Sequence, residues 1–456
     1  MIVSGNPPSA NPAARVHVVG AGLAGLAAAV TLADAGRLVS VHEAGRQAGG
    51  RCRSFYDSEL GCRIDNGNHL LLAGNSSAMA YLDRIGARGT LEGPAKPEFA
   101  FVDLANGERW TLRPNAGRVP WWVASPPRRV PGTRLRDYLA AATLDRAAAD
   151  ATVAEILSRR AVLFRRLWEP LAVAALNTAA DQGSARLFGR VLAETLGRGG
   201  AACQPLAPRE GLSETFVDPA LTMLRARRTE IRFAVRLKRL ALEPARVVGL
   251  VFDDGTVELR PGDGVILAVP AAVAARLVPD LEVPDAFAPI VNAHFRCAIP
   301  AVAPQFLGLV GGTAEWVFRK REVVSVTVSA ADRIVDQPPQ ALREMLWSDV
   351  TRAYGLAPGA APPARIIKER RATFRATPEQ LRRRPDAATA WSNLLLAGDY
   401  VETGLPATIE GAIRSGVAAA HHWLNSMPQE NGAVVDAEPG RRRPGSTMDR
   451  EQERAL

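Results

Sequence analysis

A run of five residues, RVHVV from Arg15, passes directly into GAGLAG, then into the Ala/Leu-rich stretch LAAAVTLADAG and a second apolar run, LVSVHE, that ends at Glu43. An apolar run, a glycine turn, a periodic Ala/Leu stretch closed by Gly36 and a further apolar run read as strand, turn, helix and strand. Such a βαβ unit commits the chain to an α/β fold built on a parallel sheet. The glycines have separate duties: Gly20 permits the tight turn, Gly22 lets backbone approach a pyrophosphate, and Gly25 allows the helix to pack closely on the strand. Leu23 and Ala24 open that helix, whose N-terminus faces the phosphates. Glu43 stands 18 residues after Gly25, followed by Ala44. There a carboxylate accepts hydrogen bonds from a ribose and repels a 2′-phosphate, which disfavours NADP in this site.

The chain has 456 residues, 47% of them hydrophobic, enough for two packed domains around a buried cofactor. No apolar run approaches the ~18 residues of a membrane span. The opening MIVSGNPPSANPAA has neither the basic start nor the apolar stretch of a signal peptide, so the expectation is a cytoplasmic protein. Cys52, Cys62, Cys203 and Cys297 lack metal-site spacing, and no metal or disulfide is expected. The net charge of +9 comes from 56 Lys and Arg against 47 Asp and Glu. Only four of the cations are lysines and the arginines are spread along the chain, a compositional bias rather than the basic stripe of a nucleic-acid binder.

Residues 1–14 and 427–456 are rich in Pro, Gly, Ser and charge and are expected to be unstructured. The middle, 86–204, alternates short strands with helices such as Ala147–Arg159 and Leu163–Ala175. Around 205–275 come a helical stretch, a strand at Ile231–Leu240, a hairpin VVGLVFDDGTVEL turning at Asp254-Gly255, and the apolar strand VILAVP. A second mixed region, 276–390, precedes the strand NLLLAGD and the helix IEGAIRSGVAAAHHWL. The cofactor domain is therefore expected to be discontinuous, over 15–85, 205–275 and 391–426, with a mixed α+β substrate domain from 86–204 and 276–390.

Gly49, Gly50 and Arg51 follow in EAGRQAGGR, where paired glycines allow close backbone approach and the arginine suits a phosphate or flavin. HVVGAGLAGLAAAVTLADAG with VHEAGRQAGGR resembles the opening of the FAD-containing amine oxidase and phytoene desaturase superfamily. LLLAGDYVETGLPATIEGAIRSG resembles its closing flavin motif. The resemblance implies a Rossmann-type, glutathione-reductase-like FAD domain. It carries over to Gly398 and Asp399 at the ribityl–pyrophosphate, to Thr408, Ile409, Glu410 and Gly411 at the helix aimed at the isoalloxazine, and to Val235 on a strand touching adenine.

The stretch GCRIDNGNHLLLAGN, with WEPLAVAALNTAADQGSARLF, PREGLSETFVDPA and LPATIEGAIRSG, narrows the resemblance over residues 15–425. It resembles the squalene-associated FAD-dependent desaturase group, the hydroxysqualene dehydroxylases of bacterial squalene and hopanoid synthesis. That implies reduction of hydroxysqualene to squalene, with the hydroxyl lost as water and hydride from reduced FAD. Such chemistry needs a proton donor and exclusion of water. Asp65 and His69 are the candidates, with Asn66, Gly67 and Asn68 beside them at the flavin face; a structural turn is the competing reading. Trp121 and Trp122 beside Arg128 and Arg129 have the composition of a bilayer interface, and equally of a core edge, so peripheral contact with the inner face of the plasma membrane is an extension of the reading. A phytoene or carotenoid desaturase or isomerase is the alternative enzyme, and a prenyl-lipid-binding protein on the same fold is the alternative outside catalysis. No second nucleotide fingerprint is present, which leaves the electron donor open between a partner reductase and NAD(P)H.

Overall fold

The computed structural model describes residues 14–426 apart from residues 301 and 358; the expectations for 1–13 and 427–456 fall outside the described residues. One sheet is wholly parallel and runs in the order Glu230–Arg232, Leu38–His42, Arg15–Val19, Gly264–Leu267, Leu394–Leu396. The first strand of the chain thus sits in the middle, with the order reversing beside it. That reversal opens a crevice at the carboxyl ends of the strands, the usual ligand position of an open α/β sheet. Val16, Val18, Val265, Ile266, Leu394 and Leu396 are fully enclosed, as expected of strands covered on both faces. The helix Leu23–Asp34 is buried along its length, between this sheet and the closing helix Ile409–Ser426. Two glycines permit that approach: a Cβ at Gly416 would fall 2.0 Å from the Ala24 carbonyl oxygen, and one at Gly25 would fall 1.8 Å from that of Gly20.

The single strand read at Ile231–Leu240 is two. Glu230–Arg232 joins the parallel sheet, while Leu237–Leu242 pairs with Val247–Phe252 in a separate three-stranded antiparallel sheet. Ala234, at φ 57°, breaks the extended run between them. The hairpin forms, one residue earlier than expected: Phe252 pairs with Gly255, so Asp253 and Asp254 make the turn.

A seven-stranded sheet takes its strands from two stretches of the chain, in the order Ala364–Phe374, Phe287–Arg296, Val323–Val328, Trp316–Lys320, Phe306–Val310, Phe99–Asp103, Arg109–Leu112. Val291, Ala293, Phe295, Val324 and Val326 on one face pack on the helix Pro339–Tyr354. On the other face Phe101, Trp110 and Trp316 lie beneath the helical segments of the middle region. The helix expected over Ala147–Arg159 is confined to Val153–Leu157, ended by Ser158 at φ 55°, and a 3₁₀ run occupies Leu135–Arg146 before it. The helix expected at Leu163–Ala175 forms, as a π turn Phe164–Trp168 continuing into Glu169–Leu176. Among the described residues no helix is long and apolar enough to cross a membrane.

Candidate active site

The glycine turn builds an anion cradle from backbone. Gly20 has φ 105°, and a Cβ there would lie 2.3 Å from the Ala268 carbonyl oxygen, so only glycine fits. A Cβ at Gly22 would meet nothing within 4 Å, which leaves open space at the start of the helix Leu23–Asp34. No side chain caps that helix, so the N–H groups of its first turn, from Leu23 and Ala24 onward, face that space. Glu43 ties the cradle together: Oε2 accepts from the Ala21 N–H at 2.7 Å and Oε1 from the Gly45 N–H at 2.7 Å. Each oxygen keeps a lone pair for a further donor, and Ala44 beside it is exposed. Val235 lies in the link after Ala234 rather than on a strand, and its N–H donates to the Glu43 carbonyl at 3.0 Å. Its backbone contact with a ligand is thereby limited to its carbonyl.

The two ends of the sequence meet at this cradle. Gly49 donates to the Ala21 carbonyl at 2.8 Å, and Gly50 at φ 59° lies against Gly22. From there Arg51 reaches across to Asp399, Nη2 to Oδ2 2.7 Å, and also donates to the Ala372 carbonyl. Gly398 donates its N–H to Ser415 Oγ at 3.0 Å, and a Cβ there would strike the Tyr400 ring. Beneath the loop, the buried Arg384 guanidinium donates to the carbonyls of Tyr400 and Val401 and stacks on Phe374. Thr408 and Glu410 have structural employment. Thr408 Oγ1 accepts from the Gly411 N–H at 3.0 Å, capping the closing helix. The Glu410 carboxylate accepts from the N–H groups of Ser77 and Ala78 and pairs with Arg414. What Thr408, Ile409, Glu410 and Gly411 can offer a cofactor is therefore a helix N-terminus rather than side chains.

The segment Asp65–His69 lies over the seven-stranded sheet. Asp65 receives donors on both oxygens: Ser54 Oγ at 2.6 Å and the Leu212 N–H at 2.9 Å on Oδ1, Lys320 Nζ at 3.0 Å on Oδ2. Three donors and no acceptor suit a carboxylate, not a carboxylic acid with a proton to give. Asn66 is buried and donates its N–H to the Arg53 carbonyl. Gly67 sits where a Cβ would be 3.2 Å from Asn292 Nδ2. Asn68 Nδ2 donates to Thr327 Oγ1 at 3.0 Å, and Thr327 Oγ1 donates to Asn292 Oδ1 at 2.9 Å. Next along the same strand His294 shares a 2.7 Å hydrogen bond with Ser325. Its Nε2 is enclosed beside the Asp65 backbone without a well-aligned partner, and burial pulls its pKa down to about 4. His69 is likewise lowered, chiefly by burial; the Asp65 carboxylate opposes the shift and Arg51 adds to it.

Lys320, Asn292, His294, Ser325, Thr327 and Arg384 escaped the reading of the sequence. A signal existed for four of them: in PIVNAHF and VSVTV polar residues alternate with apolar ones, the pattern of a strand with one polar face. The proposed bilayer residues divide. Trp121 is exposed, with the Arg128 guanidinium over its ring at 4.6 Å, whereas Trp122 is buried against Tyr138, and Arg129 donates to the Val123 carbonyl. Trp122 is therefore a core residue; its indole covers the Tyr138 edge rather than meeting solvent. All four cysteines are free, and among the described residues no cluster of His, Cys, Asp or Glu could hold a metal ion.

Residues 23–422 match the family of flavin containing amine oxidoreductases. A hydroxysqualene dehydroxylase of Sinorhizobium fredii is 47% identical over 406 residues, covering 89% of this chain and 97% of that protein. A hydroxysqualene dehydroxylase of Zymomonas mobilis is 45% identical over 404 residues, with the same coverage of 89% and 97%. Among solved structures, a putative protoporphyrinogen oxidase of Exiguobacterium sp. 255-15 superposes with a TM-score of 0.64 at 18% identity, over 90% of this chain and 99% of that one.

Proposed function

The chain belongs to the flavin-containing amine oxidoreductase family, and from that premise we propose that it is an FAD-dependent hydroxysqualene dehydroxylase, reducing hydroxysqualene to squalene. The observation that carries this reading is the polar island of Asn68, Asn292 and Thr327, on a sheet face shared with the His294–Ser325 pair and, further along, with Phe101, Trp110 and Trp316. It suits a hydrocarbon bearing one hydroxyl. Relatives matching 89% of the chain bear the same name, which favours this reading over a desaturase. The two sheets support a cofactor half of 15–85, 205–275 and 391–426 and a substrate half of 86–204 and 276–390.

The cradle fits FAD. Gly22 and the uncapped helix leave room and donors for a pyrophosphate, Glu43 keeps lone pairs for a ribose, and Arg51 with Asp399 spans the two ends. Gly20, Gly25, Gly49, Gly50, Asn66, Gly67, Val235 and Gly398 complete the assignment. When bound and reduced, FAD supplies the hydride. The chain supplies the proton: His69, protonated, delivers it to the hydroxyl oxygen, which leaves as water. Asp65 is its counter-ion, positioned by Lys320, Ser54 and the Leu212 N–H, and Asn68 with Thr327 orients the hydroxyl. The aromatic face excludes water from the cationic carbon left behind.

A substrate of this kind resides in lipid, so we place the chain in the cytoplasm with peripheral contact at the inner face of the plasma membrane. The deciding experiment is anaerobic incubation of purified, flavin-reduced protein with hydroxysqualene, following flavin reoxidation and extracting the lipid for mass spectrometry. Squalene formed in step with reoxidation is the expected result. No turnover, with phytoene instead reducing the oxidised protein, would transfer the chain to the desaturases; a protein that refuses FAD would be a lipid binder.

A further inference from the structure

Among the described residues the exposed large hydrophobic side chains are concentrated in one excursion of the chain. Val119, Trp121, Leu135, Leu139 and Val162 are 74%, 54%, 50%, 64% and 38% exposed, and only Leu38, Tyr56 and Val302 join them from elsewhere. The excursion is held as one piece. Trp122 packs edge-on against Tyr138, Tyr138 Oη accepts from the Val130 N–H at 3.1 Å, and a Cβ at Gly132 would touch Val162 at 3.9 Å. The 3₁₀ run Leu135–Arg146 explains why leucine faces outward. With three residues per turn, side chains three apart line up, and the row Arg136, Leu139, Ala142, Asp145 is exposed throughout. Leu139 has no packing task in it.

Charge around these residues is predominantly positive. Between Arg118 and Leu139 there are five arginines, at 118, 128, 129, 134 and 136, and one acid, Asp137, which accepts from the Arg134 N–H at 2.7 Å. We propose that this face, centred on Trp121 and Leu139, docks on an anionic phospholipid bilayer and admits the substrate there. The proposal rests on the dehydroxylase reading for its substrate. Exposed Trp and Leu within a ring of arginine match a surface whose interior is apolar and whose rim is anionic. Beneath the face, Trp122 and Tyr138 belong to one apolar cluster with Trp168, Phe101 and Trp316. Trp316 lies opposite Thr327 across the sheet, so apolar side chains run without interruption from this face to the polar island.

The test is sedimentation of the FAD-loaded full chain with vesicles of phosphatidylglycerol and phosphatidylcholine, and with vesicles of phosphatidylcholine alone. Stronger partition to the anionic vesicles is expected, falling about tenfold in Trp121→Ala/Leu139→Glu and by a similar factor in Arg134→Gln/Arg136→Gln. Turnover of hydroxysqualene dissolved in detergent micelles is expected to be unchanged in both variants, which separates lost docking from a damaged fold. Equal partition of wild type and variants, or a dimer in light scattering that Leu139→Glu dissolves, would overturn the proposal, the latter because a second copy would then cover the face. If micellar turnover is absent in every form while patch-dependent vesicle binding persists, the docking surface stands and the dehydroxylase reading falls.

Discussion

The parallel sheet and the seven-stranded sheet make their halves of the site from different materials. Around the parallel sheet the working groups are backbone: N–H groups at Leu23 and Ala24, glycines with nothing or too much within reach of a Cβ, and Glu43 fixing two turns through their amides. On the other sheet they are side chains from distant strands, Asn292, His294, Ser325, Thr327 and Lys320, gathered against Asp65 and Asn68. A nucleotide cradle made of backbone tolerates little change in spacing, while a substrate face made of side chains can be rewritten one residue at a time.

The largest expected effect tests the rigidity of the cradle. Gly25→Val places a side chain where even a Cβ would lie 1.8 Å from the Gly20 carbonyl oxygen; loss of more than ~4 kcal/mol and of all bound flavin is expected, read as visible absorbance per chain. Gly22→Ala, by contrast, meets nothing in the protein; it is expected to fold with an unchanged melting temperature and to bind FAD roughly tenfold or more weakly by fluorescence titration. Normal FAD affinity in Gly22→Ala would remove the pyrophosphate from this cradle.

On the opposite sheet, His69→Gln is expected to lower kcat by ~10²–10³ while leaving FAD affinity and melting temperature in place. Because burial lowers the His69 pKa, its protonated form is scarce at neutral pH, and wild-type kcat is expected to rise as pH falls below ~6.5. A flat profile in wild type, or the same slope in the Gln variant, would remove the proton from His69.

Acid should challenge both sheets through buried imidazoles. His17 and His42 lie 3.3 Å apart on neighbouring parallel strands, and burial and mutual repulsion take His42 to about 3; His294 on the other sheet stands at about 4. Their folded pKa values lie below the unfolded value of ~6.5, so the unfolded chain takes up protons first. Stability is full above ~6.5 and is lost as pH falls towards the folded values, by up to ~1.4 kcal/mol per pH unit for each such group. Urea midpoints from pH 7 to 5 are expected to shift less in His42→Leu than in wild type, and equal shifts would contradict the burial of that imidazole as a neutral base.

The smallest effect concerns the polar island. Thr327→Val removes the hydroxyl that joins Asn68 to Asn292 and is expected to cost ~1–2 kcal/mol and to raise KM for hydroxysqualene more than it lowers kcat. An unchanged KM would mean that the island only supports the Asp65–His69 segment.

Much of the cofactor half is legible in the amino-acid sequence itself. A strand, three spaced glycines, a helix and an acid are local in sequence, and close backbone approach leaves glycine as the residue that fits at Gly20 and Gly25, so the chemistry is written where it acts. Thr408 and Glu410 look the same in sequence whether they cap helices or touch FAD, and only the folded cap on Gly411 and the tertiary contacts with Ser77 and Ala78 decide it. Trp121 and Trp122 are neighbours of identical type, yet one faces solvent and the other Tyr138, a difference set by how the loop lies on the helices below. The Lys320 partner of Asp65 stands 255 positions away, and no local pattern encodes a pairing across two sheets. Local spacing determined the nucleotide fold; which side chains meet at the substrate was decided by packing, because that depends on every element lying between them.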